Sequence, residues 1–279
     1  MKGCRRAALF ALALVIELAG QPTQALAIDE AQADQLFRQL GQDQTSVESL
    51  QDQAQMGDAL AQDRLGLAYL VGRGVDKNYD NAMQWLLKAS AQGYSYAQFR
   101  LGFMFAEGLG VKQDVLEALR WYEKSAEQGN SAASYNLARL YQDGKGLPVD
   151  DALALKWYQV AADKGLAVAQ LNLATLYLGQ QTVKQDYEKA TLWLSKAAMA
   201  GNARAMYNLG VLYAGGLGVT KNEAQALNWY EQAVAGGEWM ALLAISMAYR
   251  EGNLGLPQDT EKADEFYRKF IEAQVQKKQ

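Results

Sequence analysis

An all-α fold, a right-handed α-solenoid of antiparallel helix pairs, is what three features of this sequence predict. The chain repeats every 36 residues. Each period carries an apolar stripe at helical spacing, and paired glycines divide most periods in two.

The period is read from four columns in one register. Trp85, Trp121, Trp157, Trp193 and Trp229 are five of the six tryptophans, each 36 residues after the last. Gly57, Gly93, Gly129, Gly165, Gly201 and Gly237 keep the same step, as do Leu65, Leu101, Leu137, Leu173, Leu209 and Ile245. Four residues beyond each of these stands an aromatic: Tyr69, Phe105, Tyr141, Tyr177, Tyr213 and Tyr249.

Within a period, Ala61, Leu65 and Tyr69 lie at i, i+4 and i+8, one face of a first helix, with the small Gly66 beside them to admit a neighbour. Ala82, Trp85 and Ala89 mark the core face of a second helix. Gly72-Arg73-Gly74, Gly108-Leu109-Gly110, Gly144-Lys145-Gly146 and Gly216-Leu217-Gly218 supply the tight turn between them. No strand pattern precedes these glycines, so they do not read as a phosphate-cradling loop. Asn78, Asp114, Asp150, Asp186, Asn222 and Asp259 then begin each second helix as N-caps. Glu117 and Gln225, three residues after their caps, suggest capping boxes. The fourth turn departs, reading Gly179-Gln180-Gln181-Thr182, and Gly179 is placed to take the left-handed role. The sixth period gains one residue and carries Phe266 in the tryptophan column, as expected of a terminal repeat.

These residues, seen together in Ala97 to Gly129, resemble the Sel1-like repeat, a relative of the tetratricopeptide repeat. The resemblance covers residues 58–273 as six units and implies a scaffold rather than a chemistry. Cysteine-rich members of that family carry paired cysteines in each repeat. None occur here, so their ligand binding is not carried over.

The ends read differently. Residues 1–27 have a basic start (Lys2, Arg5, Arg6), an apolar run and Ala25-Leu26-Ala27, the pattern of a Sec signal peptide cleaved after Ala27. The run is too short to span a bilayer, which takes about 20 residues. In a bacterium the product is then periplasmic, with no membrane insertion after cleavage. Residues 28–57 read as an N-terminal capping helix pair, and residues 274–279 as a frayed tail. Cys4 lies within the signal. The net charge moves from −4 to −6 once the three bases and one acid of residues 1–27 are removed. A mildly acidic chain without a basic run gives no footprint for nucleic acid.

Catalysis is disfavoured by inventory. The chain has no histidine, and its one cysteine is in the signal. Ser195-Lys196 and Lys124-Ser125 are the pairs left to consider as nucleophile and base. No cofactor or metal is implied, and the reading is a non-enzyme.

Function then rests on surface. A second stripe of the first helices contains Arg64, Leu67, Tyr96, Arg100, Phe103, Asn136, Arg139, Asn172, Thr175, Arg204, Asn208, Val211 and Met247. Such a stripe lines the concave groove of a solenoid and is the expected partner-binding face. Tyr96, Phe103, Arg100 and Arg64 have the composition of an interaction hot spot. The leading reading is a periplasmic adaptor that holds a partner protein of envelope assembly, motility or signalling. The alternative is an immunity protein that neutralises a periplasm-delivered toxin. A third reading, cell-wall polysaccharide binding, draws on Trp239 and the groove aromatics.

Overall fold

The structure, a computed structural model, describes residues 47–179 and 183–276. The expected signal segment with Cys4, the expected first helix of an N-terminal pair, Gln180 to Thr182 and residues 277–279 lie outside the described residues. Those described hold thirteen helices and no strand. α1 (Val47–Gln55) stands where the second helix of an N-terminal pair is expected. The six first helices are α2 (Ala59–Val71), α4 (Ser95–Glu107), α6 (Ser131–Asp143), α8 (Ala167–Tyr177), α10 (Ala203–Gly215) and α12 (Met240–Glu251). Their partners are α3 (Tyr79–Ala91), α5 (Val115–Glu127), α7 (Asp151–Asp163), α9 (Tyr187–Met199), α11 (Glu223–Ala235) and α13 (Thr260–Gln276). The described chain forms two compact units, residues 47–161 and residues 162–276.

The turn inside each pair follows from its glycines. Gly72 ends α2 in the left-handed conformation at φ 74°, donating its N–H to the Ala68 carbonyl, and Gly74 is left-handed at φ 72°. A side chain at either φ would be strained. Gly179 takes the same role in the fourth repeat, at φ 107°. In the sixth, the inserted Leu254 is left-handed at φ 55° and buried.

The return into the second helix is held by one recurring bond. Each N-cap N–H donates to the carbonyl of the aromatic column: Asn78 to Tyr69 at 2.9 Å, Asp114 to Phe105 at 3.0 Å, Asp186 to Tyr177 at 2.8 Å, and so in all six. The cap side chain accepts from the third helical N–H, as Asp114 Oδ1 does from Glu117 at 3.0 Å. The expected capping boxes therefore form only by half. The cap N–H is already used, and Glu117 turns outward to Arg120 at 3.2 Å.

The core also differs from expectation. Trp85, Trp121, Trp157 and Trp229 are half-buried and Trp193 is buried, with lysines set over rings of this column, as Lys88 on Trp85 at 3.9 Å and Lys196 on Trp193 at 3.8 Å. The deeper column is the next residue: Leu86, Tyr122, Tyr158, Leu194 and Tyr230, all fully or almost fully buried. It presses against the small residue of the first helix. A Cβ built on Gly66, Gly102 or Gly210 would lie 2.7, 2.6 and 2.5 Å from Leu86, Tyr122 and Tyr230. At these three positions the facing side chain stands where a Cβ would be, so a larger residue would push it aside.

At the C-terminal end Trp239 stacks on Phe270 with centroids 5.2 Å apart, and Tyr249 stacks on Phe266 at 5.8 Å. Residues 274–276, expected to fray, continue α13.

Candidate functional site

Within residues 47–161, successive first helices carry a cluster that breaks the repeat's own rule. The column of Phe99, Tyr135, Leu171, Tyr207 and Leu243 is apolar, yet its first member is Asp63. In the later repeats that side chain packs on the second helix, as Tyr135 does on Tyr158 at 5.6 Å and Phe99 on Tyr122 at 6.0 Å. Asp63 instead forms an ion pair through Oδ1 with Arg100 Nη1 of the next first helix. It is 2 % exposed. Burial pushes its carboxyl above the ordinary value, against the pull of Arg100 and, more weakly, of Arg64.

Arg64 and Arg100 occupy the column that later holds Asn136, Asn172 and Asn208. Among the described residues neither Arg64 Nε nor Arg100 Nε has an acceptor, although both atoms are buried. Tyr94 caps α4 without a side-chain bond, where Asp58, Asn130 and Asn202 cap their helices by accepting one. Its ring lies 6.0 Å from Tyr96, and the Arg100 guanidinium stands 5.9 Å from the Tyr96 ring. Burial first, and then the Asp63 charge, raise the Tyr94 hydroxyl. Tyr96 is 54 % exposed, so the cluster reaches the surface there.

One repeat further, a cleft of about 200 Å³ opens between α4, α5 and α6. Tyr122, Asn136, Arg139, Asp143, Glu107 and Lys145 are among its lining. Asn136 Nδ2 donates to the Tyr122 hydroxyl at 3.3 Å, and Arg139 Nη2 to Asp143 Oδ2 at 2.9 Å. Arg139 Nε is buried without an acceptor among the described residues. Full burial drives the Tyr122 hydroxyl far above its usual range, so it stays protonated and can donate.

The thirteen residues expected to line an open groove are thus sorted by burial. Tyr96 and Met247 are exposed, and Arg64, Arg100, Phe103 and Arg204 are partly so. Leu67, Asn136, Asn172, Thr175, Asn208 and Val211 are buried, and Arg139 nearly so. The open-surface expectation is corrected for these seven. Their side chains are buried by packing within the chain, and in the first unit α2 touches α4 directly. Thr175 Oγ1 spends its proton on the Leu171 carbonyl at 3.0 Å. Arg64, Tyr96 and Arg100 come together, and Asn136 and Arg139 share the cleft. Arg204, Asn208, Val211 and Met247 belong to the other unit. Asp63 and Tyr94 were missed by sequence reasoning. The signal for both was a polar or aromatic residue out of keeping with its column.

The two Ser–Lys pairs are not poised for catalysis. Ser125 Oγ is buried and donates to the Ser95 carbonyl at 2.6 Å, and Ser195 Oγ to the Thr191 carbonyl at 2.8 Å. Lys124 and Lys196 sit over Trp121 and Trp193. Nucleophilic chemistry needs a hydroxyl facing its base. No group of three or more histidine, cysteine or acidic residues among the described residues could hold a metal. None of the described helices is long and apolar enough to cross a membrane.

Known proteins agree with this architecture. A protective antigen of uropathogenic Escherichia coli, c5321, with a Sel1-like repeat fold, is 35% identical with a TM-score of 0.76. The match covers 81% of this chain and 48% of that one, so the chain spans about half of that relative. A Sel1 repeat protein from Oxalobacter formigenes is 29% identical with a TM-score of 0.70, covering 85% of this chain and 96% of that one. An immunity protein of Pseudomonas aeruginosa, PA5088, is 22% identical over 78% of this chain and 82% of its own, but its TM-score of 0.47 carries no functional argument. No curated protein matches the chain. The Sel1 repeat family matches six consecutive windows: residues 59–94, 95–130, 131–166, 167–202, 203–238 and 239–274. With each of these six windows holding one helix pair, the last helix running two residues beyond its window, the chain belongs to the Sel1 repeat family.

Proposed function

We propose that this chain is a non-catalytic periplasmic scaffold that holds a partner protein on the first-helix face of residues 47–161. Repeats of this family suggest protein-partner binding, and the columns that build the fold leave little else to carry chemistry. One observation supports this face above others. Asp63, Arg64, Tyr94 and Arg100 all depart from residues that serve the fold in the other repeats, and Tyr96 brings the cluster to the surface. Arginine and tyrosine at such a place are what a binding hot spot uses. The Arg139 cleft extends the same face by one repeat.

The export half of the reading rests on residues 1–27. Mass analysis of the protein purified from periplasm tests it, with a chain beginning at Ile28 expected. A chain retaining Met1 in the cytoplasm would sink it. For the binding half, the protein carrying Arg64→Ala, Tyr96→Ala and Phe103→Ala is used to capture partners from periplasmic extract. Loss of the wild-type partner is expected with an unchanged circular dichroism spectrum. Undiminished capture would reject this face.

A further inference from the structure

We propose that the Arg64–Asp63–Arg100 cluster is a carboxylate-recognition position, filled by an aspartate or glutamate side chain from an acidic segment of the partner. This rests on the scaffold reading above and names the chemistry of what is held.

The charge count inside the cluster gives the first argument. Two guanidinium groups face one carboxylate, so a single positive charge is left over in a largely desolvated place. Arg100 spends Nη1 on Asp63, but its Nε has no acceptor among the described residues. Arg64 makes neither hydrogen bond nor ion pair among them, and its Nε is likewise buried and unused. Buried donors without acceptors are costly, and a charged acceptor is the group that relieves them best.

The identity of that acceptor follows from Asp63. A monoanion neutralises the surplus charge. A phosphate dianion would exceed it and would be repelled by the Asp63 carboxylate already on Arg100, which is rejection built into the site. Access comes from Tyr96, whose half-open ring beside Arg100 offers an apolar shoulder to the stem of a longer acid. In the later repeats the equivalent column is Asn136, Asn172 and Asn208, so arginines occupy this column only in the first two repeats.

The test uses the full mature chain and the Nε–H resonances of its arginines, observed by nitrogen-15 NMR. The probe is an N-acetylated, amidated tetraglutamate peptide, with the tetraglutamine peptide and inorganic phosphate beside it. Saturable shifts of the Arg64 and Arg100 signals are expected with tetraglutamate alone. Arg64→Met, which keeps the Asp63–Arg100 pair, should weaken that binding at least tenfold with no fall in thermal midpoint. Asp63→Asn removes the repulsion and should bring phosphate binding up to that of the peptide. Equal response to phosphate and tetraglutamate in the wild type would overturn the assignment, as would tetraglutamate binding that Arg64→Met leaves intact. An occupant from this chain's own residues 28–46 would be revealed if neutralising Asp29, Glu30, Asp34 and Asp43 shifted the same signals without peptide, and that too would overturn it. Failure of the peptide test while Tyr96→Ala still abolishes partner capture rejects carboxylate recognition and leaves the scaffold reading standing.

Discussion

The first and fifth repeats meet the same geometric demand with different chemistry. In the fifth, Tyr207 lies 5.7 Å from Tyr230, and Tyr230 fills the slot over Gly210. Burial, with Glu238 adding to it, pushes the Tyr207 hydroxyl up to about 12, and Tyr230 is raised well above its usual 10, so that place carries no charge near neutral pH. The same columns of the first repeat hold Asp63, Leu86 and Gly66, with Arg64 where the fifth has Asn208. Leu86 fills the slot over Gly66 as well as tyrosine does, yet beside it a carboxylate and a guanidinium are taken out of water. The fold therefore needs a filled slot and an apolar neighbour, and it does not need the ion pair. A buried pair of this kind is weak support for stability and strong liability when broken.

Breaking the contrast from one side should give the largest effect. Arg100→Ala leaves Asp63 buried and unpaired, and a loss of about 3–5 kcal/mol is expected in urea unfolding. The loss should shrink in acid, where Asp63 takes up a proton and no longer needs a counter-charge. Removing the contrast instead, with Asp63→Leu and Arg100→Asn together, installs the residues of later repeats, Leu171 and Asn136. Stability should then be unchanged or rise by up to about 4 kcal/mol, while partner capture falls. A double variant as unstable as Arg100→Ala would show that the ion pair is structural.

From the fifth repeat, Gly210→Ala should cost about 1–3 kcal/mol, since the new Cβ would lie 2.5 Å from Tyr230 and force the ring aside. Adding Tyr230→Leu recreates the Ala174 and Leu194 of the fourth repeat and should restore most of the loss. Thermal midpoints of the single and double variants measure this, and no rescue would mean that the slot is not what the glycine serves.

Most of the fold was legible because a helix pair repeated six times prints its constraints in register. Apart from the fourth turn and the one-residue insertion in the sixth repeat, the turn glycines, the caps and the leucine column stand where 36-residue spacing puts them. The tryptophans misled for the same reason. Their identity is constant, whereas the deeper column alternates between leucine and tyrosine and so drew less notice than its half-buried neighbour. The groove was legible only in part. Helical period marks which residues share a stripe, but not that Leu67 and Val211 are buried within the chain. The cluster at Asp63 shows in sequence only as one acid in an apolar column, and its pairing with Arg100, 37 residues on, needs the packing.

The smallest effect, and the one that separates the two kinds of aspartate most cleanly, is in the dependence of stability on pH. Asp63 is held above its ordinary value of 3.8 by burial. As pH rises from 3.8 to its folded pKa, the native state keeps a proton that the unfolded chain has lost, so stability falls. Asp186 is the opposite case. Its carboxylate accepts the Lys189 N–H at 3.0 Å, and that bond, helped by the Lys189 charge, holds its pKa below 3.8. There the unfolded chain binds the proton first, so stability rises with pH from the folded pKa towards 3.8 and is lost as pH falls back through it. Asp186→Asn keeps an N-cap, since Asn78 and Asn222 cap their helices in the same way, but it removes the titration. Urea midpoints followed from roughly pH 3 to pH 6 should therefore lose part of their rise in Asp186→Asn. They should lose part of their fall in the Asp63→Leu, Arg100→Asn variant. If both variants changed the slope in the same direction, the two aspartates would not differ in kind, and Asp63 would have to be read as an ordinary structural acid.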